Sequence, residues 1–118
     1  PALSSEAEGE AAVERLLAAG APFDALFAAS DLIALGAIRA LSRHGLAVPA
    51  DVALVGFDDI PAASLAAVPL TTIAQDVRAA GAALVDGLLA LLAGTPAESQ
   101  RLPVTLAVRQ SCGARLPA

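Results

Sequence analysis

The chain has 118 residues, 57% hydrophobic and 16% charged, with 7 basic against 12 acidic groups and a formal net charge of −5. That length fits one domain of roughly 100–150 residues, the hydrophobicity excludes disorder, and the single Cys112 excludes a disulfide scaffold. No stretch reaches the about 18–20 uncharged apolar residues of a membrane span, so no membrane partner is expected. The basic residues are all arginines, scattered from Arg15 to Arg115 without a stripe, and three phenylalanines are the only aromatics. A DNA-reading surface is therefore not expected within this chain. The sequence lacks methionine and starts at Pro1, so it is expected to be a piece of a longer chain. Its polar, acidic residues 1–10 do not read as a secretory leader.

Ser5 followed by Glu8 has capping-box spacing, and Ala12, Val13, Leu16 and Leu17 follow at helical intervals. Gly20 and Pro22 close that helix. Phe23 to Ala29, interrupted only by Asp24, predicts a strand buried on both faces, as parallel strands are. Ser30 and Asp31 cap a second helix with Ala34, Ala37, Ile38 and Leu41 inward, ended by Gly45. Val52 to Gly56 predicts a second buried strand, so residues 23–56 form one right-handed βαβ unit. Residues 57–69, with two prolines and paired aspartates, read as an irregular loop. Leu70 to Gln75 is a third, weaker strand. Asp76 caps a long helix with an apolar stripe of Val77, Ala80, Gly81, Leu84, Leu88 and Leu91, closed by Gly94 and Pro96. Alternating Leu102, Val104, Leu106 and Val108 predict a last strand. The order αβαββαβ makes this an α/β protein, a mostly parallel sheet flanked by helices.

Ligands of open α/β sheets bind outside the carboxyl ends of the strands. Those ends carry Ser30 and Asp31, Asp58 and Asp59, and Gln75 and Asp76, the last pair joining the same rim if its strand is parallel. Short carboxylate, hydroxyl and amide groups suit a neutral polyol, because carboxylates accept several hydroxyl hydrogen bonds while Gln donates and accepts. Two helix N-termini near Asp31 and Asp76 favour an anion instead, which the acidic side chains oppose. Capping is the default use of Ser30, Asp31 and Asp76 whatever the function, and Asp59 reads as a solvated loop or turn residue rather than a ligand contact. Asp58, following the glycine of a buried strand, is the preferred ligand contact. His44 at a helix end and Cys112 near the terminus carry no catalytic constellation. No metal-ligand spacing, phosphate loop or nucleophile elbow is present, so neither an enzyme nor a cofactor is expected.

The stretches AASDLIALGAIRALSRHGLAVPADVALVGFDDIP (28–61), PLTTIAQDVRAAGAALVDGLLALLAG (69–94) and LPVTLAVRQSC (102–112) resemble the C-terminal part of lactose-repressor-type (LacI/GalR) transcription regulators. The joint occurrence of SD-x-x-A-x-G, P-x-D-V-x-L-V-G-F-D-D and L-T-T-I-x-Q carries the resemblance, together with the closing Arg-polar-Ser. It implies a periplasmic-binding-protein-like core, two α/β lobes closing on a small effector, acting in the cytoplasm with a helix-turn-helix head upstream. By that resemblance Ser30 stands where the family places a small polar contact, often asparagine, and Asp31 is the adjacent acidic position. Asp58 matches the hydroxyl-binding carboxylate, and Gln75 the glutamine bordering the cleft. The helix over 31–43 is implied as a homodimer interface through Leu32, Leu35, Ile38 and Arg39.

The resemblance further implies that residues 1–76 form part of the C-terminal lobe. Residues 77–108 are a crossover helix and strand of the other lobe, and 109–118 a tail. Without the rest of that lobe, the apolar stripe of the long helix is expected to fold back on its own sheet or to be swapped with a second chain, since exposure costs about 25 cal/mol per Å². The expected function is sugar-like effector sensing for a bacterial regulator that reaches DNA only through a domain outside this chain. The alternatives are a sugar-binding component of an uptake system and, with no residue recommending it, an α/β enzyme domain.

Overall fold

A computed structural model of the chain describes residues 5–114. The elements run α1 (Glu6–Ala18), β1 (Ala25–Phe27), α2 (Asp31–Arg43), β2 (Ala53–Asp58), α3 (Pro61–Leu65), β3 (Thr71–Gln75), α4 (Val77–Leu92) and β4 (Val104–Ala107). The four strands form one sheet in the order β1-β2-β3-β4, with β1–β2 and β2–β3 parallel. Two compact units divide the chain: one comprises residues 5–74 and 106–114, the other Gln75–Thr105.

In the first unit each long helix starts on a serine. Ser5 Oγ accepts from Glu8 N at 3.2 Å, and Ser30 Oγ from Ile33 N at 3.3 Å, so each cap satisfies one orphan amide of its first turn. The core contains Val13 of α1, Ala34, Ala37, Ala40 and Leu41 of α2, Val52 just before β2 and Leu54 within it, Ala63 of α3 and Leu70. Small side chains dominate the α2 face because the two helix backbones nearly touch. A Cβ at Gly36 would run into the Glu6 backbone, and one at Gly9 into the Ile33 carbonyl.

Along the outside of that crossing, Glu6, Glu10 and Glu14 of α1 face Arg39, Arg43 and His44. Arg39 pairs with Glu6 and Glu10, and Arg43 reaches Glu10 at 3.0 Å and Glu14 at 3.4 Å. His44 Nε2 lies 2.8 Å from Glu14 Oε2. The His44 hydrogen bond holds the Glu14 carboxyl below its ordinary value of 4.5, and Glu10 raises Arg43 above its ordinary value. With the folded pKa of Glu14 below the unfolded one, its stabilisation is complete above the ordinary glutamate range. It disappears as pH falls through the lowered value. Urea midpoints are expected to drop between about pH 5.5 and pH 3, and less steeply in Glu14→Gln; parallel slopes in the two proteins would refute the linkage.

Several elements depart from the sequence pattern. The first strand is three residues long, not seven, and Phe27 is 66% exposed, because it projects from the face of β1 opposite Leu26, the residue that packs against the core. The second strand runs two residues past Gly56, to Asp58. The expected loop over 57–69 contains α3, started by Pro61, whose ring presets the first helical turn and removes a donor that would be orphaned anyway.

In the second unit Asp76 Oδ1 accepts from Ala79 N at 2.9 Å and starts α4 as expected. Gly94 in the left-handed region (φ 80°) and the Thr95 N–Ala90 O hydrogen bond of 2.9 Å close it. No residue of α4 is buried. Val77, Leu84, Val85, Leu88, Leu89, Leu91 and Leu92 are all exposed. The apolar stripe is thus exposed among the described residues. Within this unit α4 and residues 96–102 border a groove of about 810 Å³.

Candidate functional site

Parallel pairing sets the site. Phe27 is in register with Val55, and Ala28 N continues the ladder to Val55 O at 2.8 Å. Asp58, the last residue of β2, is in register with Ala74, the residue before Gln75 at the end of β3. Within the first unit the carboxyl edge of the sheet thus carries the turn after β1 with Ser30 and the β2 exit with Asp58, beside Ala74 of β3; Gln75, the last residue of β3, is the first residue of the second unit.

The β2 exit is strained. Asp58 and Asp59 both adopt positive φ, 115° and 54°, conformations that cost about 1–3 kcal/mol each for residues with a Cβ and persist only where the surroundings enforce them. The enforcement is visible. Asp59 N donates to Thr72 Oγ1 at 3.4 Å, Ile60 N to Asp31 Oδ2 at 2.9 Å, and Arg109 Nη2 to Asp59 Oδ1 at 2.7 Å. Asp58 is half-buried at the rim.

Asp31 occupies a different place from the rim expected of it. It is fully buried, with Thr72 Oγ1 donating to its Oδ1 at 2.5 Å and Ile60 N to its Oδ2. Both oxygens are thus engaged by the protein's own donors. The carboxylate also lies over the β2 backbone, where a Cβ at Gly56 would collide with it. Ser30 is 6% exposed and caps α2, so its hydroxyl has a structural duty whatever else it meets.

Two residues from the chain's end, not singled out from the sequence as site residues, tie β2 and β3 together: Arg109 reaches the β2 exit, and Ser111 the amino-terminal ends of both strands. Arg109, just past β4, donates through Nη1 to Leu70 O at 2.9 Å as well as to Asp59, and its amide donates to Thr71 Oγ1 at 2.8 Å. Ser111 is buried between β2 and β3: its Oγ donates to Leu54 O at 2.6 Å and accepts from Thr71 N at 2.8 Å, while its carbonyl accepts from Leu54 N. The only sequence signal for either was the Arg-polar-Ser ending.

On the opposite flank of α2, Leu32 is 38% exposed, Leu35 and Ile38 are half-buried, and Arg39 is exposed and ion-paired. Leu35, Ile38 and Arg39 border a shallow, mainly apolar groove of about 390 Å³ with Ala62, Leu65, Ala66 and Ala67 of α3 and its exit. Leu65 is 82% exposed; its place beside α2 was hidden because α3 was not foreseen.

Chemically, the edge offers hydrogen-bonding groups of both kinds and no nucleophile beside a base. His44 is engaged with Glu14, and Cys112 Sγ contacts Arg109 O at 3.7 Å. Among the described residues, no group of three or more His, Cys, Asp or Glu is arranged to hold a metal ion.

The sequence signature of the periplasmic binding protein-like domain matches residues 2–112. The transcriptional regulator MalR of Streptomyces coelicolor is 48% identical over 89 residues, covering 75% of this chain and 25% of that protein. The lactose operon repressor of Escherichia coli is 46% identical over 88 residues, 74% of this chain and 24% of the repressor. The chain thus spans about a quarter of the length of these relatives. Among solved structures, a lac repressor dimer bound to operator and the anti-inducer ONPF superposes with a TM-score of 0.86 at 40% identity, over 93% of this chain and 39% of that one. The complex of the regulator CelR with cellobiose gives a TM-score of 0.86 at 38% identity, over 91% and 33%. The chain belongs to the periplasmic binding protein-like domain family and corresponds to the C-terminal part of the effector-binding core of LacI/GalR-type transcriptional regulators.

Proposed function

We propose that this chain forms half of the effector cleft of a sugar-responsive bacterial transcription regulator. Asp58 accepts hydroxyl hydrogen bonds from the effector, with Ser30 and Gln75 completing the polar rim; Asp31 braces that rim from within rather than touching the ligand. The observation that carries this reading is the enforced positive-φ exit of β2, which sets one carboxylate at the carboxyl edge of a parallel sheet. The cellobiose complex of CelR supports a neutral saccharide as the ligand class. Residues 77–105 belong to the other lobe, where the apolar face of α4 finds its cover; the separate compactness of Gln75–Thr105 supports that division, while residues 106–108 of the expected crossover strand go with the first unit. Effector-biased lobe closure then changes DNA affinity through a domain outside this chain, in the cytoplasm. The chemistry is binding, not turnover.

The test is operator binding by the full-length protein in the presence of a panel of mono- and disaccharides. One sugar is expected to shift DNA affinity by about 5–150-fold, the usual size of an allosteric coupling. Tight sugar binding by a protein with no affinity for DNA would favour the uptake-component reading instead.

The groove of α2 and α3 is the proposed two-fold interface, with Leu32, Leu35, Ile38 and Arg39 meeting their counterparts. Ile38→Asp is expected to weaken the full-length dimer roughly hundredfold or more, by burying an unpaired charge. Sedimentation equilibrium checks this, and an unchanged dimer would move the interface elsewhere.

A further inference from the structure

We propose that Arg109 is a positioning residue of the effector site, acting through Asp59 to hold Asp58 in its ligand-facing conformation. The proposal rests on the reading of Asp58 as a ligand contact and extends it to a residue that lies outside the rim. Two consecutive residues with side chains at positive φ do not hold themselves there. The anchors just beyond Asp58 act on Asp59 and Ile60: the Thr72 hydroxyl, the Asp31 carboxylate and the Arg109 guanidinium. The Thr72 bond, at 3.4 Å, is long, whereas the Arg109–Asp59 pair at 2.7 Å is short and charge-assisted, with side chains only 23% and 29% exposed.

Arg109 is itself fixed at three points. Its amide is tied to Thr71, one guanidinium nitrogen to Leu70 O and the other to Asp59. A planar fork spans a carbonyl and a carboxylate at once, which a lysine ammonium on a flexible stem does not reproduce. The start of β3 and the exit of β2 are therefore linked through one side chain, so the rim carboxylate is set by a residue from the far end of the sequence.

Two measurements on the full chain test this, and the first needs no ligand. Amide hydrogen exchange at Asp59 and Ile60 is expected to speed up about tenfold or more in Arg109→Ala, the change that losing one charge-assisted hydrogen bond produces. Arg109→Lys is expected to fall between the two, with exchange at Leu41 and Leu54 unchanged. Exchange at 59 and 60 as slow as in the parent protein would overturn the proposal. The second is calorimetric titration with cellobiose, expected to show about tenfold weaker binding for Arg109→Ala and partial recovery for Arg109→Lys, at melting midpoints within about 1 °C of each other for the two variants. Where cellobiose gives no heat with the parent protein, the exchange result decides alone. Loss of affinity in Asp58→Asn but not in Arg109→Ala would overturn the positioning role and keep the site. No loss in Asp58→Asn would remove the site reading itself.

Discussion

Asp31→Ala is expected to destabilise the chain by about 3–5 kcal/mol, the largest effect of any single substitution considered. The side chain is fully buried and accepts two hydrogen bonds, from Thr72 Oγ1 at 2.5 Å and from Ile60 N at 2.9 Å. Alanine leaves an O–H and an N–H without their acceptor in a site water does not reach, at about 1–3 kcal/mol each. It also removes an acidic group from the first turn of α2, worth about 0.3–1 kcal/mol more against the helix dipole. Asn keeps the shape and one carbonyl acceptor, so Asp31→Asn is expected to lose about half as much, with its NH₂ facing a Thr72 hydroxyl that already accepts from Asp59 N. Urea unfolding measures both. An Asp31→Ala midpoint equal to the parent's would mean that this carboxylate is not the brace of the β2 exit.

The second large effect is at Gly36. A methyl group there meets the Glu6 carbonyl, its carbon and its Cα, all backbone, so no rotamer change relieves the collision. Alanine normally gains about 1 kcal/mol over glycine inside a helix, and here that gain is outweighed: the α1–α2 crossing must open and give up part of the packing around Val13, Ala37 and Leu41. Gly36→Ala is expected to lose about 2 kcal/mol net, and Gly36→Val more, as overpacked cores do. Gly81 supplies the opposite sign from the same chemistry. It lies within α4 with nothing within 4 Å of its missing Cβ, so Gly81→Ala is expected to raise α4 helicity in circular dichroism. A Gly36→Ala protein as stable as the parent would show that the helices separate freely.

The sequence made the sheet edge legible because its determinants are local. Ser5, Ser30 and Asp76 are caps by residue type, and the ends of the apolar runs place Asp58 and, provided the third strand is parallel, Gln75 toward one edge. It did not reveal which way Asp31 faces. Ser and Asp both cap helices, and only the structure shows that Ser30 takes the cap while Asp31, one position on, turns under the sheet. The role of Arg109 was hidden for a related reason: its partners lie 38–50 positions earlier in the chain. Phe27 looked like core from an apolar run, yet it projects from the face of β1 opposite the core-packed Leu26, and which face is covered is a property of the whole sheet. The large apolar residues of α4 are exposed among the described residues.

The most direct test of the sugar-cleft assignment is calorimetric titration of the full-length protein with the saccharide that shifts its operator affinity, beside Asp58→Ala and Asp24→Ala. Losing a carboxylate that accepts two ligand hydroxyls is predicted to weaken binding about hundredfold or more, while Asp24→Ala, a residue before β1 at the opposite end of that strand, leaves affinity unchanged. Equal affinity in Asp58→Ala and the parent protein would contradict the account.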